Sequence, residues 1–200
     1  RSAHMPAYMK RDDVEIIACA DIDLEKAKKF AEDFKIPAAY ASVEELLANC
    51  KPDYVDVCTW PAAHAPVSIA AANAGCHVMC EKPICHNLED AIALRDAIKK
   101  NGVKFMLAVP LRYEKKAIHA RKLVDEGVLG DVYYGKTAYV RQRGIPGGWF
   151  SCTKYAGGGP IIDIGVHRID LAWYMMGCPK PISVSATAEG TLSSIPSNSL

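Results

Sequence analysis

The sequence predicts an α/β fold: a doubly wound parallel sheet followed by a smaller second region of α+β character. Three observations carry this. Strand-like apolar runs alternate with helix-like runs through the first half of the chain, and strands separated by helices of this length return parallel to one another. The strand runs are apolar throughout, as strands covered on both faces are. After Pro110 the alternation stops and longer, more polar runs take over.

The elements follow in order. VEIIACA (14–20) is the first strand run, then a helix from Leu24 to Phe34, a brief strand near Ala39 and a helix from Val43 to Ala48. YVDVCT (54–59) repeats the pattern, with a helix closing before Gly75, the strand CHVMC (76–80), a helix from Leu88 to Lys100 and the strand VKFMLAV (103–109). Past Pro110 come a helix from Lys115 to Glu126 stopped by Gly127, a long strand-like run DVYYGKTAYVRQR (131–143) and a Gly-rich loop (144–159). A helix over 160–176 follows, with Pro160 at its first position and Gly177 just past its end. ISVSATAEG (182–190) closes the pattern as a β-rich run.

Half of the 200 residues are hydrophobic, enough for a sizeable core. A net charge of +1, with no dense Lys/Arg run, gives no electrostatic footprint for nucleic acid or an anionic membrane surface. No stretch approaches the roughly 20 apolar residues of a membrane helix. Of the eight cysteines, Cys19, Cys58, Cys76 and Cys80 lie in apolar strand runs, where Cys behaves as a small hydrophobe. Reduced thiols of a cytoplasmic protein are the expectation. Cys76, His77, Cys80, Cys85 and His86 have ligand chemistry without zinc-finger spacing, so no metal is assigned to them.

The 160–176 helix is the most informative segment. At roughly 100° per residue, Asp163, His167, Asp170 and Tyr174 fall within an arc of about 60°, beside an apolar stripe of Ile162, Val166, Ile169 and Trp173. Two carboxylates and an imidazole on one line need a reason, since burying uncompensated charge is costly. A carboxylate one turn before an imidazole suits general acid/base work. The same spacing suits a divalent metal, and a solvated surface pair is the third alternative.

In open parallel sheets, ligands bind beyond the carboxyl ends of the strands. Asp21 follows the first strand run, Thr59 the second, and Glu81, Lys82 and Pro83 follow CHVMC. An acidic residue placed like Asp21 hydrogen-bonds a ribose 2′-hydroxyl and repels a 2′-phosphate, which favours NAD over NADP.

These residues resemble the glucose-fructose oxidoreductase / inositol dehydrogenase / rhizopine catabolism (Gfo/Idh/MocA) family. The likeness runs through ADIDLEKA, VCTWPAAH, GCHVMCEKP, GVLGDV and GGGPIIDIGVHRIDLAWYMMG in order. It implies a Rossmann domain over 1–110 and a substrate and oligomerisation domain over 111–200 with an open, largely antiparallel sheet. It further implies Lys82, Asp163 and His167 as the catalytic set. Asp21, Thr59, Trp60, Pro61, His64, Glu81 and Lys82 would then face the cofactor, and Arg112, Tyr113 and Arg141 would join the catalytic set around substrate, as substrate or salt-bridge groups. RQRGIPGGWF is most similar to members that act on sugars or cyclic polyols, so the implied reaction is oxidation of a secondary alcohol by a homo-oligomer. A glycoside hydrolase that uses NAD transiently and a non-catalytic nucleotide-binding module are the alternatives.

The chain departs from the family at three points. It opens at RSAHMPAY, which matches the helix after the family's glycine-rich phosphate loop, and no GxGxxG occurs in it. It closes at SSIPSNSL, where more of the second sheet is expected, and Trp60-Pro61 stands where many members carry Pro-Asn. In the strand order 3-2-1-4-5-6, a preceding strand belongs between 14–20 and 54–59. Those two runs are therefore expected not to pair with each other, and the 200 residues alone to bind NAD weakly or not at all.

Overall fold

The computed structural model describes residues 4–140 and 148–187, less the side chains of 149, 151 and 153. They form two compact units. One is drawn from Arg1–Cys58, His64–Cys80 and Glu89–Met106, the other from Thr59–Ala63, Glu81–Leu88 and Leu107–Leu200.

In the first unit, α1 (His4–Tyr8) precedes β1 (Cys19–Ala20), α2 (Leu24–Phe34), β2 (Ala39–Tyr40), α3 (Val43–Asn49) and β3 (Tyr54–Val57). Next come α4 (Pro61–Asn73), β4 (His77–Glu81), α5 (Leu88–Asn101) and β5 (Phe105–Ala108). Local chemistry sets the helix limits. The Asp23 carboxylate accepts from Lys26 N–H at the start of α2, and Lys35 closes it in a left-handed conformation, its N–H donating to Ala31 and Glu32 carbonyls. Ser42 Oγ accepts from Glu45 N–H while Glu45 reaches back to Ala41 N–H, two otherwise unpaired donors satisfied by one short segment. Gly75, at φ 83°, turns the chain from α4 into β4, a conformation that side chains disfavour.

Two sheets result, with β1–β2 and β3–β4 paired in parallel. β1 pairs with β2, and β3, β4 and β5 form a second sheet in that order, with Val57 opposite Cys80. Among the described residues no ladder joins β1 to β3, as the expected strand order requires. The α1 side chains bond to β3 instead: Tyr8 Oη donates to Asp56 Oδ2 at 2.9 Å, and His4 Nδ1 lies 2.7 Å from the same oxygen. Burial and the carboxylate push the Tyr8 hydroxyl pKa upward. Val57, Ala71, Cys76, Val78 and Cys80 make the core of the second sheet. Past His77, no residue of the central strand β4 is exposed, and its middle residues Val78, Met79 and Cys80 are apolar.

Three expectations change. The first strand run shrinks to Cys19–Ala20, because its partner β2 offers only two rungs. Residues 131–140 and 182–187 carry no ladder, with Tyr133, Val140, Ile182 and Val184 about nine-tenths or more exposed; a strand pattern becomes a strand only against a partner edge. The rest of both runs, 141–143 and 188–190, lies outside the described residues, as does Arg141. Cys58 is exposed rather than a core hydrophobe.

Candidate active site

The second unit gathers the strand-end segments 59–63 and 81–88 with a 3₁₀ turn at Pro110–Tyr113, α6 (Lys115–Asp125), α7 (Thr153–Ala156) and the ionisable helix. That helix is not uniform. Ile161–Gly165 forms a π turn, and α8 (Val166–Met175) continues from it. A π turn widens the helix by one residue and recurs at functional sites. It holds Asp163.

β4 ends on Glu81, whose Oε2 accepts from the Lys82 N–H at 3.1 Å, and Lys82 precedes a cis proline. Lys82 Nζ donates to Asp163 twice, to the carboxylate at 2.6 Å and to the backbone carbonyl at 2.8 Å. Both side chains are largely buried, so this charge-assisted contact is shielded from solvent. Gly157, at φ 75°, makes room for the approach of its own segment to His86. A Cβ there would stand 2.5 Å from His86 Cβ and 2.8 Å from its Cα, a distance that no side chain tolerates.

His167 lies one turn past Asp163. Its Nδ1 is buried and has no hydrogen-bond partner among the described residues. Burial, and then the neighbouring Lys82 charge, hold its pKa below the ordinary imidazole value, against opposing pulls from Glu81, Asp163 and Asp170. The neutral, proton-accepting form is the favoured one at neutral pH.

Asp170 is taken by Arg112. Nε donates to Oδ2 at 2.7 Å and Nη2 to Oδ1 at 2.5 Å, a two-pronged bond that pushes the guanidinium pKa up. The same guanidinium lies 5.7 Å from the Trp173 ring and 5.0 Å from Tyr174. Further on, Arg121 donates to the Tyr174 carbonyl and to Asp125.

Lys82, Asp163 and His167 are thus brought together, with Glu81, Arg112 and Asp170 around them. Thr59, Trp60 and Pro61 belong to the same unit, where Thr59 Oγ1 donates to the Trp60 carbonyl and Trp60 meets the edge of Tyr155. Tyr113 is exposed. Asp21 and His64 belong to the first unit. Asp21 is exposed just past β1, with Oδ1 accepting from Asp23 N–H at 2.9 Å, and His64 is buried in α4.

Sequence reasoning missed the π turn, for which the Gly165 inside a helical pattern was the available signal. It also left the Arg112 partner undecided. Each carboxylate of the helix is held by a cation, Asp163 by Lys82 and Asp170 by Arg112. Among the described residues, the group of His, Cys and carboxylate atoms close enough to share an ion is His4, Asp56 and Cys58, which includes none of Cys76, His77, Cys80, Cys85 and His86. No described helix is long and apolar enough to cross a membrane.

Comparison with known proteins bears on this geometry. Residues 1–109 match the Gfo/Idh/MocA oxidoreductase family, NAD-binding Rossmann fold, and residues 117–195 match a C-terminal domain of the same name. The chain is 36% identical over 184 residues to D-glucoside 3-dehydrogenase of Escherichia coli K12, covering 92% of this chain and 52% of that protein. It is 30% identical over 162 residues to levoglucosan dehydrogenase of Pseudarthrobacter phenanthrenivorans, covering 79% and 42%. The aldose-aldose oxidoreductase of Caulobacter crescentus, solved with glycerol, superposes with a TM-score of 0.75 at 32% identity over 88% of this chain and 54% of that one. A levoglucosan dehydrogenase solved with NADH and levoglucosan gives 0.73 at 27% identity over 88% and 49%. The chain spans about half the length of these relatives.

Proposed function

Since the chain belongs to the Gfo/Idh/MocA oxidoreductase family, we propose that the whole protein oxidises a secondary alcohol of a sugar or cyclic polyol with NAD as hydride acceptor. The observation that carries this reading is the Lys82 ammonium clasping Asp163 one turn from an imidazole whose buried Nδ1 has no hydrogen-bond partner among the described residues. In it, residues 1–110 serve the cofactor and 111–200 the substrate, and the full-length protein is a homo-oligomer.

The residues suit the cofactor. Asp21 places an exposed carboxylate at the end of β1, the chemistry that a ribose diol takes up. Thr59, Trp60, Pro61, Glu81 and Lys82 follow β3 and β4, the strand ends beyond which such ligands bind. His64 is buried in α4, the helix that Pro61 opens. The unpartnered Nδ1 of His167 is the kind of buried polar atom that a ligand satisfies.

Each residue then has a task. An ammonium carries three N–H donors, and Asp163 takes two of those on Lys82, so one remains for the alcohol oxygen. That bond stabilises negative charge developing on the oxygen. His167 accepts the hydroxyl proton, and NAD, when bound, supplies the hydride acceptor. Asp163 fixes the Lys82 head. The like charge of Lys82 then favours release of the proton from His167 to solvent, which resets the base.

Lys82→Met in the full-length protein tests the assignment. Turnover in an NADH-forming assay across a panel of sugars and polyols should fall roughly 100-fold or more, while NAD affinity by calorimetry changes little. Near wild-type turnover would remove Lys82 from the mechanism.

A further inference from the structure

α8 carries His167 yet has no buried residue, and Ile169 and Trp173 on its apolar stripe are 57% and 40% exposed. No fully buried apolar side chain anchors it. Three cations do: Lys82 on Asp163 at the π turn, Arg112 on Asp170 one turn past His167, and Arg121 on the Tyr174 carbonyl near the end. Lys82 is committed to chemistry in the reading above, and Arg121 holds a backbone atom two turns from the imidazole. Arg112 and Asp170 are left to set the turn that presents it.

We propose that Arg112 and Asp170 are a positioning pair for His167, not substrate ligands: the two-pronged bond fixes the turn of α8 that presents the imidazole, and each charge cancels the other beside it. The proposal rests on the reading of His167 as the base. Asp170 stands three residues on from His167, so the two share a helix face. Its carboxylate uses both oxygens on Arg112, and the guanidinium packs against Trp173 and Tyr174, which leaves its fork no freedom to turn toward a sugar hydroxyl. The charged groups that act on His167 are Lys82 and Glu81 from the segment after β4, Asp163 from the π turn and Asp170 from its own helix; Arg112 reaches it through its bond to Asp170, and Arg168 is its neighbour in sequence. Arg168 lies with its guanidinium 5.4 Å from the Tyr139 ring. Removing one member of the Arg112–Asp170 pair leaves a bare charge near the imidazole. Removing both does not.

That sign pattern is the test. In full-length protein with ¹³C-labelled histidine, the His167 resonance, assigned with His167→Asn, is followed against pH for Arg112→Gln, Asp170→Asn and the double variant. Arg112→Gln should move the midpoint up by roughly half a pH unit, Asp170→Asn should move it down by a similar amount, and the double variant should return close to wild type. Arg112→Lys keeps the charge and loses the fork, so its midpoint should stay near wild type while kcat falls about tenfold with KM less affected; it also serves if the glutamine variant does not fold. Single variants with midpoints within about 0.2 pH unit of wild type, or both displaced the same way, overturn the proposal. The resonance is read without turnover, so the two readings fail separately: full activity in His167→Asn with the opposed midpoint shifts intact would sink the base assignment alone.

Discussion

The β3–β5 sheet and the helix α8 are held in place by opposite means. In the sheet, Val57, Val78 and Cys80 are at most 3% exposed, and the packed side chains are apolar. α8 buries no residue fully, and charged hydrogen bonds from Lys82, Arg112 and Arg121 reach it and the π turn before it. A packed apolar core does not respond to pH, whereas an ionic clamp does. Under the proposed function, the contrast suits a scaffold that stays fixed and a site whose groups exchange a proton.

The same truncation in the two regions should separate them most. Leu94, 1% exposed on α5, loses its packing outright as Leu94→Ala, and about 3 kcal/mol of stability with it. Ile169→Ala on α8, where the side chain is 57% exposed, should stay within about 0.5 kcal/mol. Urea unfolding of the full-length protein measures both. A comparable loss at Ile169 would mean that α8 rests on apolar packing after all.

The difference between the regions also decides what could be read from the sequence. Largely apolar runs announced β3, β4 and β5, and Gly75 and Gly127 announced helix ends, because burial and backbone freedom are properties of single segments. The EKP turn and the DIGVH segment announced Lys82, Asp163 and His167 by their resemblance to a known family. The length of β1 was not legible, since a ladder is as long as its partner, and β2 supplies two residues. Nor was the partner of Arg112: a guanidinium 58 positions from its carboxylate leaves no periodic trace. The sequence left the ionisable line of the 160–176 helix open between acid/base, metal and surface roles, and the structure pairs its Asp163 and Asp170 with Lys82 and Arg112.

The second effect in size is on activity against pH. His167 must be neutral to accept a proton, and burial beside Lys82 holds its pKa below the usual imidazole value of about 6.5. Protonation is therefore resisted on acidification, and the acid limb of kcat/KM should lie at lower pH than that of an ordinary histidine. Below the depressed pKa kcat/KM should fall about tenfold per pH unit. Replacing His167 by Asn should abolish that limb along with most of the activity. Chelators should leave the profile unchanged, because Asp163 and Asp170 are already held by cations. An acid limb above pH 6.5 in the wild type would contradict the depressed imidazole.

The smallest expected effect lies in the first unit. Asp21 is exposed past β1 and uses Oδ1 to accept from Asp23 N–H, which holds the carboxylate in a fixed orientation at the strand end. There it suits a ribose 2′-hydroxyl and repels a 2′-phosphate, so NAD should be preferred over NADP. Ile22 beside it is 77% exposed, and an arginine at that position meets no packing obstacle. Asp21→Ala with Ile22→Arg should shift the ratio of kcat/KM values toward NADP by roughly tenfold, the scale expected when a guanidinium hydrogen-bonds the 2′-phosphate and the carboxylate no longer repels it. Because Asp21 and Ile22 lie outside the ionic helix, the His167 acid limb should keep its position in this variant. A wild-type enzyme that already prefers NADP would defeat the assignment of Asp21, and a displaced acid limb would show that cofactor selection and proton transfer are not separable in the way the two regions imply.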